Sequence, residues 1–486
     1  MGQVVQMSIA VISTGVITFG LLYITVVTVL GIRQTRKDGV PVSQQEALLD
    51  AEPDPDAELH GFAFYFLIPG LNEEEVIGGT ITALLGEQPG ATVVMIDDGS
   101  DDRTAAIVGT FEHTGRVKLL SRTLPHARLG KGKALNNGMD LVRADVARRG
   151  IDTSKVIVGV MDADGRMTAN ATSAVAKEFA ADPSVGGLQL VVRIRNRDSL
   201  ALSFQDMEFW AMSGLGQLGR AAVGSVSMGG NGQFTRLSAL DEVGVDPWSE
   251  SLTEDLDLGI SLAVLGWKMT ATPWAYVTQQ GVGRLGRLVR QRTRWYQGHM
   301  LSICRLPELA RSRYLPTGRF MELAAYLAVP WAISLPWSVL QQYLLFELIT
   351  GNGLPEYGTN STLGRILVGV AWYVVSFTPH VFWGFVYWWR GRTVPLWKGL
   401  VMAHLMIPWS YVAHLAAWRA LARIILRRNG WTKTSRESEG PPELQGSSLL
   451  GERVLTRPTG PTAALEPAPA PGHGRPAAAA SDGTER

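Results

Sequence analysis

The sequence predicts an α/β domain with a mostly parallel sheet, set between apolar segments long enough to cross a membrane. From Gly61 onward, short apolar runs alternate with helical patterns, as parallel strands joined by crossover helices do. Ser8 to Ile32 contains no charge and is long enough to span a bilayer. Past Phe320 the apolar runs resume, and the 15 tryptophans and slightly positive mean hydropathy are high for a wholly soluble chain.

Residues 8–32 read as a retained N-terminal transmembrane anchor. No basic residue precedes them, Arg33, Arg36 and Lys37 follow at once, and no small-residue cleavage site is evident. The positive-inside rule then puts the N-terminus outside and the catalytic domain in the cytosol. Residues 33–60 are a polar, acidic linker ("LLDAEPDPDAEL"). Across 61–280, "FAFYFLIPG", "ATVVMIDDGS", "VKLLSR", "KVIVGVMDADG" and "GGLQLVVRIRN" read as strands, and "EEVIGGTITALLGEQ" as a helix. Ligands of such sheets bind beyond the carboxyl ends of the strands, where Asn72, Glu73, Asp97, Asp98, Asp162 and Asp164 sit.

Residues 281–318 read as interfacial amphipathic helices. In 319–426 the runs Met321 to Ile349, Leu363 to Trp389 and Leu396 to Leu415 are each long enough to span, with Pro330 and Pro336 expected to break the first. About three C-terminal transmembrane helices are expected. The Pro-, Ala- and Gly-rich residues 433–486 are expected to be a disordered tail. Arg419, Arg423, Arg427, Arg428 and Lys433 crowd the end of the last run, and charge bias favours keeping them in the cytosol. Net charge is +1, so nothing draws the chain to nucleic acid. The single cysteine, Cys304, excludes an intramolecular disulfide and reads as a small buried side chain.

Asp162 and Asp164 close a buried strand, where two carboxylates can grip one hard divalent cation, or form an Asx turn with Gly165. Asp97 and Asp98 lie in a turn whose Ser100 and Asp101 are explained by helix capping; the two acids could accept hydrogen bonds from a nucleoside. Lys131 and Lys133 open a helix from a glycine loop, an arrangement suited to phosphate or a nucleobase edge, without P-loop spacing. Thr253, Glu254 and Asp255 start another helix, as a capping box or as the seat of a general base at Asp255. The turn "SMGGNGQF" just upstream would let substrate approach the backbone. In "GRLGRLVRQRTRWYQGHML", Leu285, Leu288, Val289 and Trp295 make an apolar stripe opposite Arg284, Arg287, Arg290 and Arg294. Gln291 and Arg294 are one turn apart beside Trp295, whose face can stack on a sugar while Arg294 grips a diphosphate.

The order of these motifs resembles the family 2 glycosyltransferases, in particular the membrane-embedded processive branch. That branch includes cellulose, hyaluronan, chitin-oligosaccharide and poly-N-acetylglucosamine synthases. The resemblance spans about Phe62 to Trp431 and implies a GT-A type nucleotide-sugar-binding domain. It further implies that Asp97, Asp98, Lys131, Lys133 and Asp162 bind a UDP-sugar donor, with Mg²⁺ or Mn²⁺ on Asp164. Asp255 would be the catalytic base, and Glu254, Gln291, Arg294 and Trp295 would hold the diphosphate and the glycan acceptor. Residues 319–426 would be a transmembrane channel region in the plasma membrane, with export proteins as possible partners. The implied reaction is inverting and processive. Transfer of one sugar to a lipid, or an inactive export scaffold, are the other readings. Two departures weaken the likeness to cellulose synthases: "VTQQGVGRLGRL" lacks their gating-loop sequence, and the tail lacks a cyclic-di-GMP-binding pattern.

Overall fold

The computed structural model describes residues 2–36, 59–350, 361–391, 394–428 and 430. Most of the expected linker and all of the expected tail lie outside them. Strands β1 (Ala63–Gly70), β2 (Thr92–Asp97), β3 (Val117–Ser121) and β4 (Val156–Val160) run parallel in the order β3-β2-β1-β4. Helices Ile77–Glu87 and Ala171–Ala181 cover one face, and Lys131–Arg149 and Glu254–Val264 the other. Burial on both faces is why these strands are unbroken apolar runs instead of alternating ones.

β8 (Gln233–Arg236) inserts antiparallel beside β4 and carries β6 (Val185–Gln189) and β9 (Lys268–Thr270). A second, small sheet joins β5 (Arg166–Met167), β10 (Tyr276–Gln279) and β7 (Val191–Ile194). The expected single strand "GGLQLVVRIRN" is therefore two strands in two sheets. It turns at Leu190, whose amide donates to the Gly232 carbonyl at 2.9 Å. The Gln189 side chain pins the turn by donating to the Leu190 and Asn231 carbonyls at 3.0 and 2.7 Å.

Among the described residues, three helical stretches are long and apolar enough to cross a membrane: Thr18–Thr35, Thr317–Tyr343 and Leu396–Ile425. That is one N-terminal and two C-terminal stretches, against about three expected after the domain. The run Leu363 to Trp389 does form a helix, Thr362–Gly391, but several of its side chains lie outside the description. The expected break at Pro330 is a widened π turn, Pro330–Ser334, within one helical run from Thr317 to Thr350. Pro330 lacks an N–H, and the wider turn accommodates that without ending the helix.

The N-terminal helix docks by backbone contact: a Cβ on Gly219 would lie 1.9 Å from the Val27 carbonyl oxygen. Only glycine permits that approach. Helix Leu396–Ile425 lies along the domain. Met402 and Met406 pack with Phe204, Met207 and Trp210, and Ala417 and Ala420 pack with Met300. Cys304, expected to be buried, is exposed. It sits in the single turn Ile303–Arg305 between two helices, with no second layer over it.

Candidate active site

A cavity of about 730 Å³ opens at the carboxyl ends of β1 and β4. Its walls come from the Gly-rich turn, the start of helix Glu254–Val264, and helix Leu285–Ser302, which carries Gln291, Arg294 and Trp295. Of the expected site residues, Asp98, Lys131, Asp162, Glu254, Asp255, Gln291, Arg294 and Trp295 all line it. Asp97, Lys133 and Asp164 do not.

Asp97 is buried behind the wall and accepts the Ser100 amide at 2.9 Å. Asp98 is ion-paired with Arg122 and accepts the Arg128 amide at 3.0 Å. Burial raises its carboxyl above the usual range, while Arg128 and Arg122 pull the other way. Asp102, not Ser100, caps the following helix, accepting the Thr104 amide at 2.9 Å.

Lys131 and Lys133 part company. The Lys131 Nζ lies 2.8 Å from Asp162 Oδ1 and 2.8 Å from the Gly230 carbonyl oxygen. Burial alone would push its pKa down, but Asp162, Glu254 and Asp255 around it outweigh that and hold it charged. Lys133 points outward to Glu250 at 3.1 Å. The rest of "GKGKALN" packs: a Cβ on Gly132 would lie 2.3 Å from the Ser249 carbonyl oxygen. Asn136 exchanges two hydrogen bonds with the Trp248 backbone, at 2.8 and 3.1 Å. These contacts fix the loop that leads into Thr253.

The capping box expected at Thr253 is not formed. The Thr253 hydroxyl makes no cap bond, and Asp255 Oδ1 accepts the Leu256 amide at 2.7 Å instead. Glu254 and Asp255 are both raised, first by burial, with Lys131 and Arg294 opposing. Gly230 sits between the two halves of the site: a Cβ there would meet Lys131 Nζ at 2.8 Å and Asp255 Oδ2 at 3.3 Å. This is where the Gly-rich turn matters.

On the facing helix, Arg287, Arg290 and Arg294 turn toward the cavity instead of away from the domain, which corrects the simple interfacial reading of their stripe. Trp295 meets Phe209 edge-to-face, with ring centroids 6.0 Å apart. The Arg292 guanidinium lies 4.9 Å from the Trp295 ring centroid and pairs with Glu208 at 2.6 Å. Phe209 and Glu208 belong to a π turn, Met207–Ser213, that the sequence did not signal. Gln189 and Asn231 were also missed. Asn231 accepts the Asp162 amide at 3.2 Å and donates to Gln279 at 3.0 Å, and so holds the end of β4.

Asp164 is wholly buried and accepts the Gln280 amide at 2.9 Å. Among the described residues no cluster of three or more His, Cys, Asp or Glu has ligand geometry. The donor chemistry nevertheless fits a hard divalent cation, which binds through one or two carboxylates and takes its remaining ligands from phosphate and water.

Parallel strands that end in acids, facing a cation-lined cavity with a carboxylate poised on its wall, define a nucleotide-sugar transferase domain of the GT-A type. A family profile described as "Glycosyltransferase like family 2" matches residues 60–298, and the chain carries a family 2 glycosyltransferase domain. The chain is 27% identical over 298 residues to a poly-beta-1,6-N-acetyl-D-glucosamine synthase of Staphylococcus epidermidis, covering 59% of this chain and 65% of that one. It is 32% identical over 245 residues to a beta-monoglucosyldiacylglycerol synthase of Synechocystis, covering 48% and 47%. The chain thus spans less than two thirds of the length of these relatives. Among solved structures, a mannosyltransferase from Pyrobaculum calidifontis in complex with GDP-Man and Mn²⁺ is similar with a TM-score of 0.47 and 18% identity, covering 86% of this chain and all of that one. S. aureus TarS 1–349 in complex with UDP-GlcNAc gives 0.40 and 13%, covering 77% and 94%.

Proposed function

We propose that the chain is an inverting glycosyltransferase that moves a sugar from a UDP-sugar to the end of a growing β-linked glycan. The observation that carries this is the meeting, on one cavity, of Asp255 with Gln291, Arg294 and Trp295. Asp255 would take the proton from the acceptor hydroxyl as that oxygen attacks the anomeric carbon. The raised carboxyl is suited to the task, since a base works best near the operating pH. Arg294 would bind the diphosphate through paired N–H donors, and the Trp295 face would hold the acceptor sugar. Lys131 would hold Asp162 toward the donor, while Asp98, already paired with Arg122, would shape the nucleoside pocket.

Asp162 and Asp164 would hold Mg²⁺ or Mn²⁺. Such a cation, when bound, neutralises charge on the leaving diphosphate. We further propose that the domain faces the cytosol, with the apolar helices embedded in the plasma membrane, and that product export follows from that placement. A second reading, transfer of one sugar to a lipid, is favoured by the 32% identity to the Synechocystis synthase. A radiolabelled UDP-sugar screen in membranes, followed by sizing of the product, separates the two. A polymer supports the first reading and a single-sugar glycolipid the second. No incorporation from any UDP-sugar would end both. Asp255→Asn is the control, expected to lose about 10²–10⁴-fold in rate while still binding UDP.

A further inference from the structure

The cavity holds more positive charge than a diphosphate requires. Arg287, Arg290 and Arg294 come from one helix and Arg419 and Arg423 from the helix Leu396–Ile425. Residues 287, 290 and 294 fall on one helical face, as do 419 and 423. The two helices pack together through Met300, Ala417 and Ala420, so the two faces converge on one rim. Arg294 is occupied by the charge of Glu254 and Asp255. Arg423 donates only to neutral oxygens, Gln297 Oε1 and the Gly430 carbonyl, each at 2.7 Å. Among the described residues no carboxylate forms an ion pair with Arg287, Arg290 or Arg419.

The same rim is greasy. Leu285, Leu415, Trp418, Ile425 and Leu426 are all exposed on these two helices. Unpaired arginines interleaved with exposed leucine, isoleucine and tryptophan form the surface that settles at the headgroup level of a bilayer. A soluble phosphate would use the charge and leave the apolar side chains in water. A lipid uses both.

We infer that helices Leu285–Ser302 and Leu396–Ile425 form, at the cavity rim, a binding site for the phosphate of an anionic membrane lipid. Arg287, Arg290 and Arg419 supply the charge, and the site is separate from the one for the donor diphosphate. The headgroup compensates the arginines, and its acyl chains cover the exposed apolar side chains beside them. No bond is made or broken there.

The test is binding of fluorescent phosphatidylglycerol and phosphatidylcholine to the full chain in neutral detergent, with no sugar donor present. Its failure is thus distinct from a failure of the transferase reading. Phosphatidylglycerol should bind more tightly, weakening with salt. Each arginine should contribute about fivefold, so that R287Q/R290Q/R419Q loses on the order of 100-fold and matches phosphatidylcholine. Should that triple variant misfold, R419Q alone, at an exposed position, should still lose about fivefold. Undiminished phosphatidylglycerol binding in folded R287Q/R290Q/R419Q or in R419Q would overturn the site. So would complete displacement of the lipid by millimolar inorganic phosphate, which would identify a free anion as the occupant.

Discussion

Gly298 lies directly against Thr253: a Cβ on Gly298 would come within 2.5 Å of both the hydroxyl oxygen and the methyl carbon of that threonine. The contact joins the helix carrying Arg294 and Trp295 to the first residue before Glu254 and Asp255. Gly298→Ala should therefore push the two helices apart, costing roughly 1–3 kcal/mol of stability by overpacking. Turnover should fall more than UDP binding does, because the displaced groups are those facing the acceptor. Thermal melting and steady-state kinetics on one preparation check this; unchanged kcat with lowered stability would confine the contact to packing.

The pH dependence follows from the burial of Asp255. A base must be deprotonated, and a raised carboxyl holds its proton to higher pH. Activity should then fall on the acid side of a limb lying above the ordinary carboxylate range. Arg294 lowers the pKa of both Glu254 and Asp255, so Arg294→Gln should move that limb further upward. The readout is the position of the limb in kcat at saturating donor, not its height. A limb that stays put would remove Arg294 from the electrostatics of the base.

Much of this arrangement was legible in the sequence because strand ends and helix starts are marked by composition. Acids after an apolar run locate the carboxyl ends of β2 and β4, and the Gln-Arg-Trp spacing puts its residues on one helical turn. What escaped was tertiary. "GKGKALN" reads as a phosphate loop, yet Gly132 and Asn136 serve the close packing of the Trp248–Ser249 backbone, which no local pattern encodes. The π turn holding Glu208 and Phe209 leaves no composition signal. Leu190 looks like one more strand residue, and only its partner Gly232, far along the chain, makes it a bend. Cys304 was misjudged because a free cysteine is more often buried than not.

Metal dependence is the third expectation. Chelation with EDTA should abolish transfer, and Mg²⁺ or Mn²⁺ should restore it. Asp164→Ala should fail to respond, at a loss on the order of 10³-fold if the cation supplies several kcal/mol of charge stabilisation. Isothermal titration of UDP with and without the cation separates a binding effect from a chemical one. Full activity in chelator would leave the Asp162–Asp164 pair as a structural turn held by Asn231 and Gln280.

The fourth expectation concerns the side of the membrane on which the last described helix ends. Counting apolar runs after a cytosolic domain gives an odd number and an exterior tail, while the arginine cluster after Leu415 argues for the cytosol. The packing of that helix favours the charge argument. Trp409 Nε1 donates to Glu208 at 2.9 Å, Arg423 donates to Gln297, and Gln297 Nε2 donates to the Arg428 carbonyl at 2.9 Å. Glu208 and Gln297 both belong to the domain side of the cavity, so the helix touches the domain near its middle and again at its end. Cys304, the chain's single cysteine and exposed, is a ready reporter for the domain. A cysteine at Arg427 in a Cys304→Ser background reports on the helix end. Both should resist a membrane-impermeant maleimide in intact cells and label once the cells are opened. Labelling of the Arg427 position from outside, with Cys304 protected, would mean that the helix crosses the bilayer and that its contacts with Glu208 and Gln297 do not form in the membrane.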